Sequence, residues 1–232
     1  MKYFLLLVCS LCCVYVVSAQ DCKGYYYLLN NAVVEMTIYD AKNNPGGRNV
    51  YTITQVHKDG TGTTSDFTST YYDKDNKVLT NGAGHFKCDG SGVAIDMKVG
   101  MPSMPQLKDV SMEGKTAAAF LDYPTVMQAG QELKGGSFEM SGSIKGMDVD
   151  FNYAITNRKV KGNEKVTTPA GTWDCVKIGY DLSFMMKMMG AEVPMKLVAE
   201  EWFAPGFGVV KTRSFDKSGK PLGSTLITAV KR

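Results

Sequence analysis

Apolar and polar side chains alternate along much of the chain after about residue 20. Val149, Phe151, Tyr153 and Ile155 occupy every second position of one segment, and residues 176–184 repeat the pattern. Successive side chains of a strand point to opposite faces of a sheet, so each segment is predicted to be a strand with one apolar face. One-sided alternation is typical of antiparallel sheets that cover one face and leave the other in water.

A turn motif occurs three times, in residues 39–44, 72–77 and 215–220. In each, an aromatic residue ends an apolar segment, Asp starts the turn, and Asn or Gly follows shortly after. Asn and Gly supply the positive φ that tight hairpin turns need. The chain is therefore predicted to fold as a meander of long hairpins whose first strand starts within residues 22–29.

Other glycine-containing segments are less regular. Residues 89–92 and 145–146 are further hairpin candidates, whereas residues 81–84 predict either a turn or a glycine bulge within a bent strand. Pro102, Pro105 and Gly114 interrupt residues 99–118, where a short helix at 104–110 or a loop over one end of the sheet would fit. The patterns together predict a mostly β protein: a curved antiparallel meander sheet with at most one or two short helices.

The N-terminal segment has the three parts of a secretory signal peptide, which are a positive charge, an apolar core and small residues before a cleavage site. Its apolar core is shorter than the roughly 20 residues that span a bilayer. Asp21 directly precedes Cys22, which disfavours lipid attachment at that cysteine. We therefore predict an exported chain with a signal peptide at residues 1–19, a single β domain over residues 20–232 and no transmembrane segment.

Three cysteines, Cys22, Cys88 and Cys175, remain after removal of the signal peptide. An odd number in an oxidising compartment indicates one disulfide and one free thiol, or an intermolecular bond. In a meander, the start of the first strand and the end of the fourth lie at the same end of the sheet, which favours a Cys22–Cys88 disulfide. Cys175 is out of phase with the apolar positions that follow it. A Cys88–Cys175 bridge is the alternative.

Charge and motifs narrow the functional classes. The chain has 26 Lys and Arg against 23 Asp and Glu, without the clustered basic face that nucleic-acid binding needs, so no nucleic-acid partner is expected. Neither His57 nor His85 has a second His at metal-ligand spacing, and no phosphate-binding, hydrolase or zinc-protease motif occurs. We expect a protein that is not an enzyme and uses no cofactor; the sequence leaves its oligomeric state open.

Methionine is concentrated in one part of the chain, since twelve of the fourteen lie between Met97 and Met195. Methionine fills irregular cores, packs against varied apolar ligands and, as a soft thioether, binds Cu(I). We rank core filling first, a hydrophobic ligand second and copper third. Residues 185–189 are apolar on both faces except for a lysine, which indicates a covered segment or the border of a cavity. The residues predicted to lie near a ligand are Met185, Met186, Met188, Met189, Phe151 and Tyr153.

Two segments carry a family resemblance: VTTPAGTWDCVKI at residues 166–178 and EWFAPGFGVVK at residues 201–211. With the aromatic-Asp turns and LDYP at residues 121–124, they resemble the TapB-like family of secreted bacterial proteins of unknown function. The wider similarity is to envelope proteins of the lipoprotein-carrier type, which wrap a half-open β-barrel around a hydrophobic cavity. The resemblance implies that fold and a lipid-binding or carrier-like role in the bacterial periplasm or outside the cell. It brings no catalytic residues.

The favoured functional hypothesis is therefore a binding protein whose curved sheet holds a hydrophobic small molecule or lipid. The alternative is a structural or interaction protein of the cell surface with a filled core and no ligand. Core residues and cavity walls have the same composition, so the two hypotheses differ in whether the inner face of the sheet is open or filled.

Overall fold

The structure is a computed structural model that describes residues 22–60, 62–100, 112–114, 119–144 and 147–232. Three of the sequence predictions lie outside these ranges: the signal peptide, the short helix within the 99–118 segment and the two-residue turn after residue 144.

Strands make up most of the described residues, together with three single turns of 3₁₀ helix at Cys22–Gly24, Tyr26–Leu28 and Met97–Gly100. The strands are β1 Val33–Asp40, β2 Pro45–Asp59, β3 Gly62–Asp73, β4 Val78–Asp89, β5 Gly92–Asp96, β6 Met112–Gly114, β7 Phe120–Pro124, β8 Gly136–Ile144, β9 Met147–Thr168, β10 Gly171–Met188, β11 Ala191–Ala204, β12 Gly208–Phe215 and β13 Pro221–Lys231.

These strands form one antiparallel sheet in the order β6-β8-β9-β10-β11-β12-β13-β1-β2-β3-β4-β5-β7. Two meanders, β1 to β5 and β8 to β13, are joined because β13 pairs with β1. The sheet curls almost into a closed barrel that has one unsealed seam. The predicted fold class, a curved antiparallel meander or half-open barrel, is confirmed.

The apolar face predicted for β9 forms the inner wall of the barrel. Val149, Phe151, Tyr153 and Ile155 are all buried, and the residues between them are half-buried or exposed. This is the burial that a strand with one face in the core must show.

The three aromatic-Asp segments form hairpin turns, as predicted. In each turn one carboxylate oxygen, of Asp40, Asp73 or Asp216, accepts hydrogen bonds from the backbone N–H groups two and four residues later. The residue after the first of these donors has a positive φ: 63° at Asn43, 63° at Asn76 and 83° at Gly219. The carboxylate thus satisfies the backbone groups that a tight turn leaves unpaired.

The Asn-Gly-Ala-Gly segment is neither a turn nor a bulge, in contrast to both alternatives predicted for it. It lies inside β4 and pairs in continuous register with β3, where Gly84 faces Phe67. A Cβ at Gly84 would lie 2.7 Å from the Phe67 ring and 2.8 Å from the Asp96 carboxylate. Glycine is needed here because the ring occupies the space of a side chain.

The chain before β1 is not a strand, which corrects the prediction for residues 22–29. The 3₁₀ turn at Tyr26–Leu28 crosses one end of the barrel, where the Tyr26 N–H donates to the Phe207 carbonyl (3.1 Å) and the Val209 N–H donates to the Tyr27 hydroxyl (2.9 Å). Both tyrosines are buried. Consecutive aromatic residues suit this position because all of them are covered, whereas a strand would expose every second one.

A disulfide joins Cys22 to Cys88 across 66 residues and ties the segment before β1 to the end of β4. Cys175 is not disulfide-bonded and is buried in β10. The alternative Cys88–Cys175 bridge is therefore absent from the structure.

Candidate functional site

The interior of the barrel contains a cavity of about 540 Å³. Its walls are mostly aromatic and aliphatic side chains from strands of both meanders. Eight tyrosines line it: Tyr26, Tyr27, Tyr39, Tyr51, Tyr71, Tyr123, Tyr153 and Tyr180.

The cavity has a closed floor and an open mouth. The 3₁₀ turn that carries Tyr26 and Tyr27 forms the floor. At the opposite end, the lining residues Asp40 and Leu222 belong to the hairpin ends of β1 and β13, and both are exposed. A ligand would therefore reach the cavity from the side of the β1–β2 and β12–β13 turns.

The tyrosine hydroxyls of the inner part of the cavity are already paired within the protein. Tyr26 donates to the Val209 carbonyl (3.1 Å), and Tyr51 donates to the Val99 carbonyl (2.9 Å). Burial raises the pKa of Tyr26, Tyr27 and Tyr51 above the ordinary value of 10, so these side chains are neutral. They present ring carbons rather than charges or unpaired hydroxyls to a ligand.

One buried ion pair lies beside the cavity. Arg158 Nη2 is 3.4 Å from Glu201 Oε1, and the Tyr123 hydroxyl donates to Glu201 Oε2 at 3.0 Å. Burial raises the pKa of Glu201, and the positive charge of Arg158 opposes that shift. Glu201 lines the cavity, while its partner Arg158 is 1% exposed. The carboxylate is thus engaged by the protein itself.

Arg158 also forms hydrogen bonds across the open seam of the barrel. Its Nη1 donates to the carbonyl oxygen of Asp122 in the edge strand β7 (3.1 Å) and to that of Lys134, just before β8 (2.9 Å). Since β7 lies at one end of the sheet order and β8 near the other, these bonds link the two sides of the seam.

Sequence reasoning did not identify Arg158 as an inward residue. In β9 the inward positions are odd up to Ile155, but Asn157 has a φ of 53° and the register against β10 shifts there. The bulge moves the alternation by one position, so that Arg158 and Val160 point inward and are buried. Asparagine is one of the few residues that adopt a positive φ readily, and Asn157 is the only feature of the sequence that points to the bulge.

The residues predicted to contact a ligand are only partly brought together. Tyr153 lines the cavity. Phe151 is buried and pairs across strands with Met186, which packs against the core together with Met188. Strand alternation places Met185 on the opposite, outer face.

Met189 stands apart from the other methionines. It is 81% exposed in the turn between β10 and β11, where its φ is 51°.

Other candidate chemistry is sparse in the part of the chain that the structure describes. No group of three or more His, Cys, Asp or Glu side chains there could hold a metal ion. His85 Nδ1 lies 2.7 Å from Asp66 on the exposed surface, and His57 contacts Gln55. Within the same ranges, no helix has the length and apolar character to cross a membrane.

Two solved structures share this fold. A candidate exported protein with a YmcC-like fold from Bacteroides fragilis NCTC 9343 is 19% identical, with a TM-score of 0.75, over 90% of this chain and 99% of that chain. A candidate lipoprotein from Parabacteroides distasonis ATCC 8503 is 22% identical, with a TM-score of 0.75, over 91% of this chain and all of the other. At these identities the similarity establishes the fold.

Sequence comparison assigns the family. No curated protein matches the sequence. The resemblance to the TapB-like family stays a prediction. A model of a different family, described as DUF3108-like, matches residues 31–227, which is most of the sequence. The chain therefore belongs to the DUF3108-like family.

Proposed function

We propose that this protein is an exported, non-enzymatic binding protein that holds one hydrophobic small molecule in the barrel cavity. The observation that carries the proposal is the cavity of about 540 Å³, which lies within the range of small-molecule sites. Protein interiors are otherwise close-packed, with few voids larger than a water molecule. An unfilled interior of this size favours the binding hypothesis over a structural protein with a filled core.

The wall chemistry supports an apolar ligand. The hydroxyls of Tyr26, Tyr27, Tyr51 and Tyr123 have partners in the protein, so the cavity offers ring faces and aliphatic side chains for contact. Among the described residues that line the cavity, Arg213 alone is cationic. It pairs in register with Glu200 on the outer face of the sheet, away from the interior. An anionic group buried in the cavity would lack a free cationic partner, at a high desolvation cost.

Export supports a role in the cell envelope or outside the cell. The proposal that the protein is exported rests on the signal-peptide pattern of residues 1–19, and it agrees with the descriptions of the two structural relatives. Holding an apolar molecule inside a barrel would shield it from water in such a compartment.

The test is binding of the neutral fluorescent probe N-phenyl-1-naphthylamine to the mature chain. Ser214 lines the cavity and faces Ala199 in the neighbouring strand, so Ser214→Phe should occupy part of the space. The matched control is Ser183→Phe, because Ser183 lies between the buried Leu182 and Phe184 and therefore points outward. We expect Ser214→Phe to weaken probe binding at least tenfold and Ser183→Phe to leave it unchanged.

The alternative function predicts a different result. A surface interaction protein with a filled core would take up no probe in its unmodified form, and mass spectrometry of the purified protein under native conditions would detect no co-purified apolar molecule. Equal probe binding by both variants would also contradict a site inside the barrel.

A further inference from the structure

The inner face of the sheet continues past the mouth of the cavity. β12 ends at Phe215, which pairs with Val198 of β11, so residues 191–197 of β11 extend beyond their neighbour on that side. On the other side they remain paired with β10 from Leu197 to Ala191. The β10–β11 hairpin therefore projects beyond β12 at the rim of the barrel, while β9 still flanks it on the β10 side.

The projecting part carries an apolar strip on its inner face. Leu197 lines the cavity, and Met195 and Val193 follow it at every second position of the same strand. Met195 pairs across strands with Phe184, and Val193 pairs with Met186, which places them on the face that is buried further inside. We call Leu197, Met195, Val193, Met186 and Met188 the rim strip.

Exposure rises outward along the rim strip. Leu197 is half-buried, Met195 is 38% exposed and Val193 is 53% exposed. The charged residues of this hairpin are on the other face, where Lys187 pairs with Glu192 at 3.8 Å. A contiguous apolar surface beside a cavity marks an interaction site rather than a random exposure of single residues.

We propose that the rim strip is the outer half of the ligand site and that the ligand is an amphiphile with one long alkyl chain. This inference rests on the proposed function of the cavity. The apolar end of the chain enters the cavity, the following carbons lie along Leu197, Met195 and Val193, and the polar head group stays in water beyond Val193. The four-residue distance from Leu197 to Val193 gives the rim strip a length of about 13 Å.

Three observations select a long chain over a compact ligand. The apolar surface is continuous from the cavity to the rim strip, because Leu197 belongs to both. It is open on one side, because β12 no longer flanks β11 there. Methionine side chains are flexible and polarizable, which suits contact with a mobile alkyl chain.

The experiment compares two neutral probes with the same head group, octyl and tetradecyl β-D-maltoside, each below its critical micelle concentration. Affinity for the mature chain is measured by displacement of N-phenyl-1-naphthylamine. Met195→Thr removes apolar surface from the rim strip while keeping a residue suited to strands. The control Val198→Thr changes the opposite face of the same strand at similar exposure, 41% against 38%.

We expect Met195→Thr to weaken tetradecyl maltoside about fivefold and to leave octyl maltoside unchanged, since only the longer chain reaches the strip. Val198→Thr should alter neither affinity. Equal weakening of both probes, or no weakening of either, would overturn the inference while leaving the cavity as a binding site. If the unmodified protein bound neither probe, the proposed function itself would fail.

A protein partner on the projecting hairpin is the competing occupant. In that case the mature chain would elute as a dimer or larger species that Met195→Thr converts to monomer, without any dependence of binding on chain length. That pattern would overturn the inference.

Discussion

Asn157 illustrates how one backbone conformation decides which side chains enter the interior. Its positive φ shifts the alternation of β9 and turns Arg158 toward Glu201. Cys175 departs from strict alternation in β10 for a different reason, since it and Val176 are adjacent yet both buried. Strict alternation would expose one of them, so burial on this stretch of β10 comes from covering on both faces.

Burial should make Cys175 chemically inert. Burial raises the pKa of its thiol to about 11, with the nearby carboxylates of Asp174 and Glu164 adding to the shift. Because the thiolate is the reactive species, we expect iodoacetamide to label Cys175 in the unfolded chain but not in the native chain at pH 8. Peptide mass spectrometry reads out the site, and Cys22 and Cys88 stay unlabelled in both states while their disulfide is intact. Rapid labelling of the native protein would contradict the burial.

At the scale of elements, the hairpin turns depend on a repeated carboxylate. Backbone and side-chain donors hold the pKa of Asp40 and Asp216 below the ordinary value of 3.8. A carboxyl whose pKa is lower in the folded state stabilises the fold above its ordinary pKa, and that stabilisation is lost as the pH falls through the folded value. The turns should therefore weaken in acid.

Asp216→Ala tests this pH dependence. We expect the variant to be less stable than the unmodified protein in urea at pH 7, with the difference shrinking toward zero at pH 2 to 3. Lys217→Ala, in the same turn but outside the carboxylate network, should show no such pH-dependent difference. If the stability difference between Asp216→Ala and the unmodified protein stayed constant from pH 7 to pH 2, the charge of the carboxylate would not be what stabilises the turn.

The sequence predicted these turns because the Asp, Asn and Gly residues act locally. The inner face of β9 up to Ile155 was predictable for the same reason. Arg158 was not, because a bulge depends on a φ value that the apolar pattern does not encode. Neither was the covering role of Tyr26 and Tyr27, since their burial comes from distant strands. The sequence could not decide whether the inner face of the sheet is open or filled, because cavity walls and packed cores share one composition.

At the scale of the molecule, the seam of the barrel is bridged by a buried ion pair. Arg158 contacts Glu201 and two backbone carbonyls from opposite sides of the seam, and its guanidinium carbon lies 4.7 Å from the centre of the Tyr123 ring. Removing one partner of such a pair leaves the other charge buried without compensation. The seam is therefore the place where one substitution should affect the whole sheet.

Arg158→Met should lower the free energy of unfolding by about 3–5 kcal/mol, measured by urea denaturation with tryptophan fluorescence. Arg158→Met combined with Glu201→Leu should recover part of that loss, because no charge is left unpaired. Arg48→Met is the matched control: Arg48 lies at the same 3.4 Å from Glu35, but both side chains are about one-third exposed. Loss of this exposed pair should cost about 1 kcal/mol or less. Equal losses for Arg48→Met and Arg158→Met would argue against a special role of the seam.

The pairing of β13 with β1 has a consequence for how the chain acquires its structure. Val34 pairs with Val230, so the joint between the two meanders forms between the most distant parts of the described sequence. A growing polypeptide that lacks residues 221–231 holds two separate sheets with open edges, which are prone to wrong pairings. Closure must follow synthesis of nearly the whole chain, and such long-range contacts make folding slow. The barrel is therefore completed at β13, which is synthesised after the other described strands, and this timing would suit the proposed export, during which a chain stays unfolded.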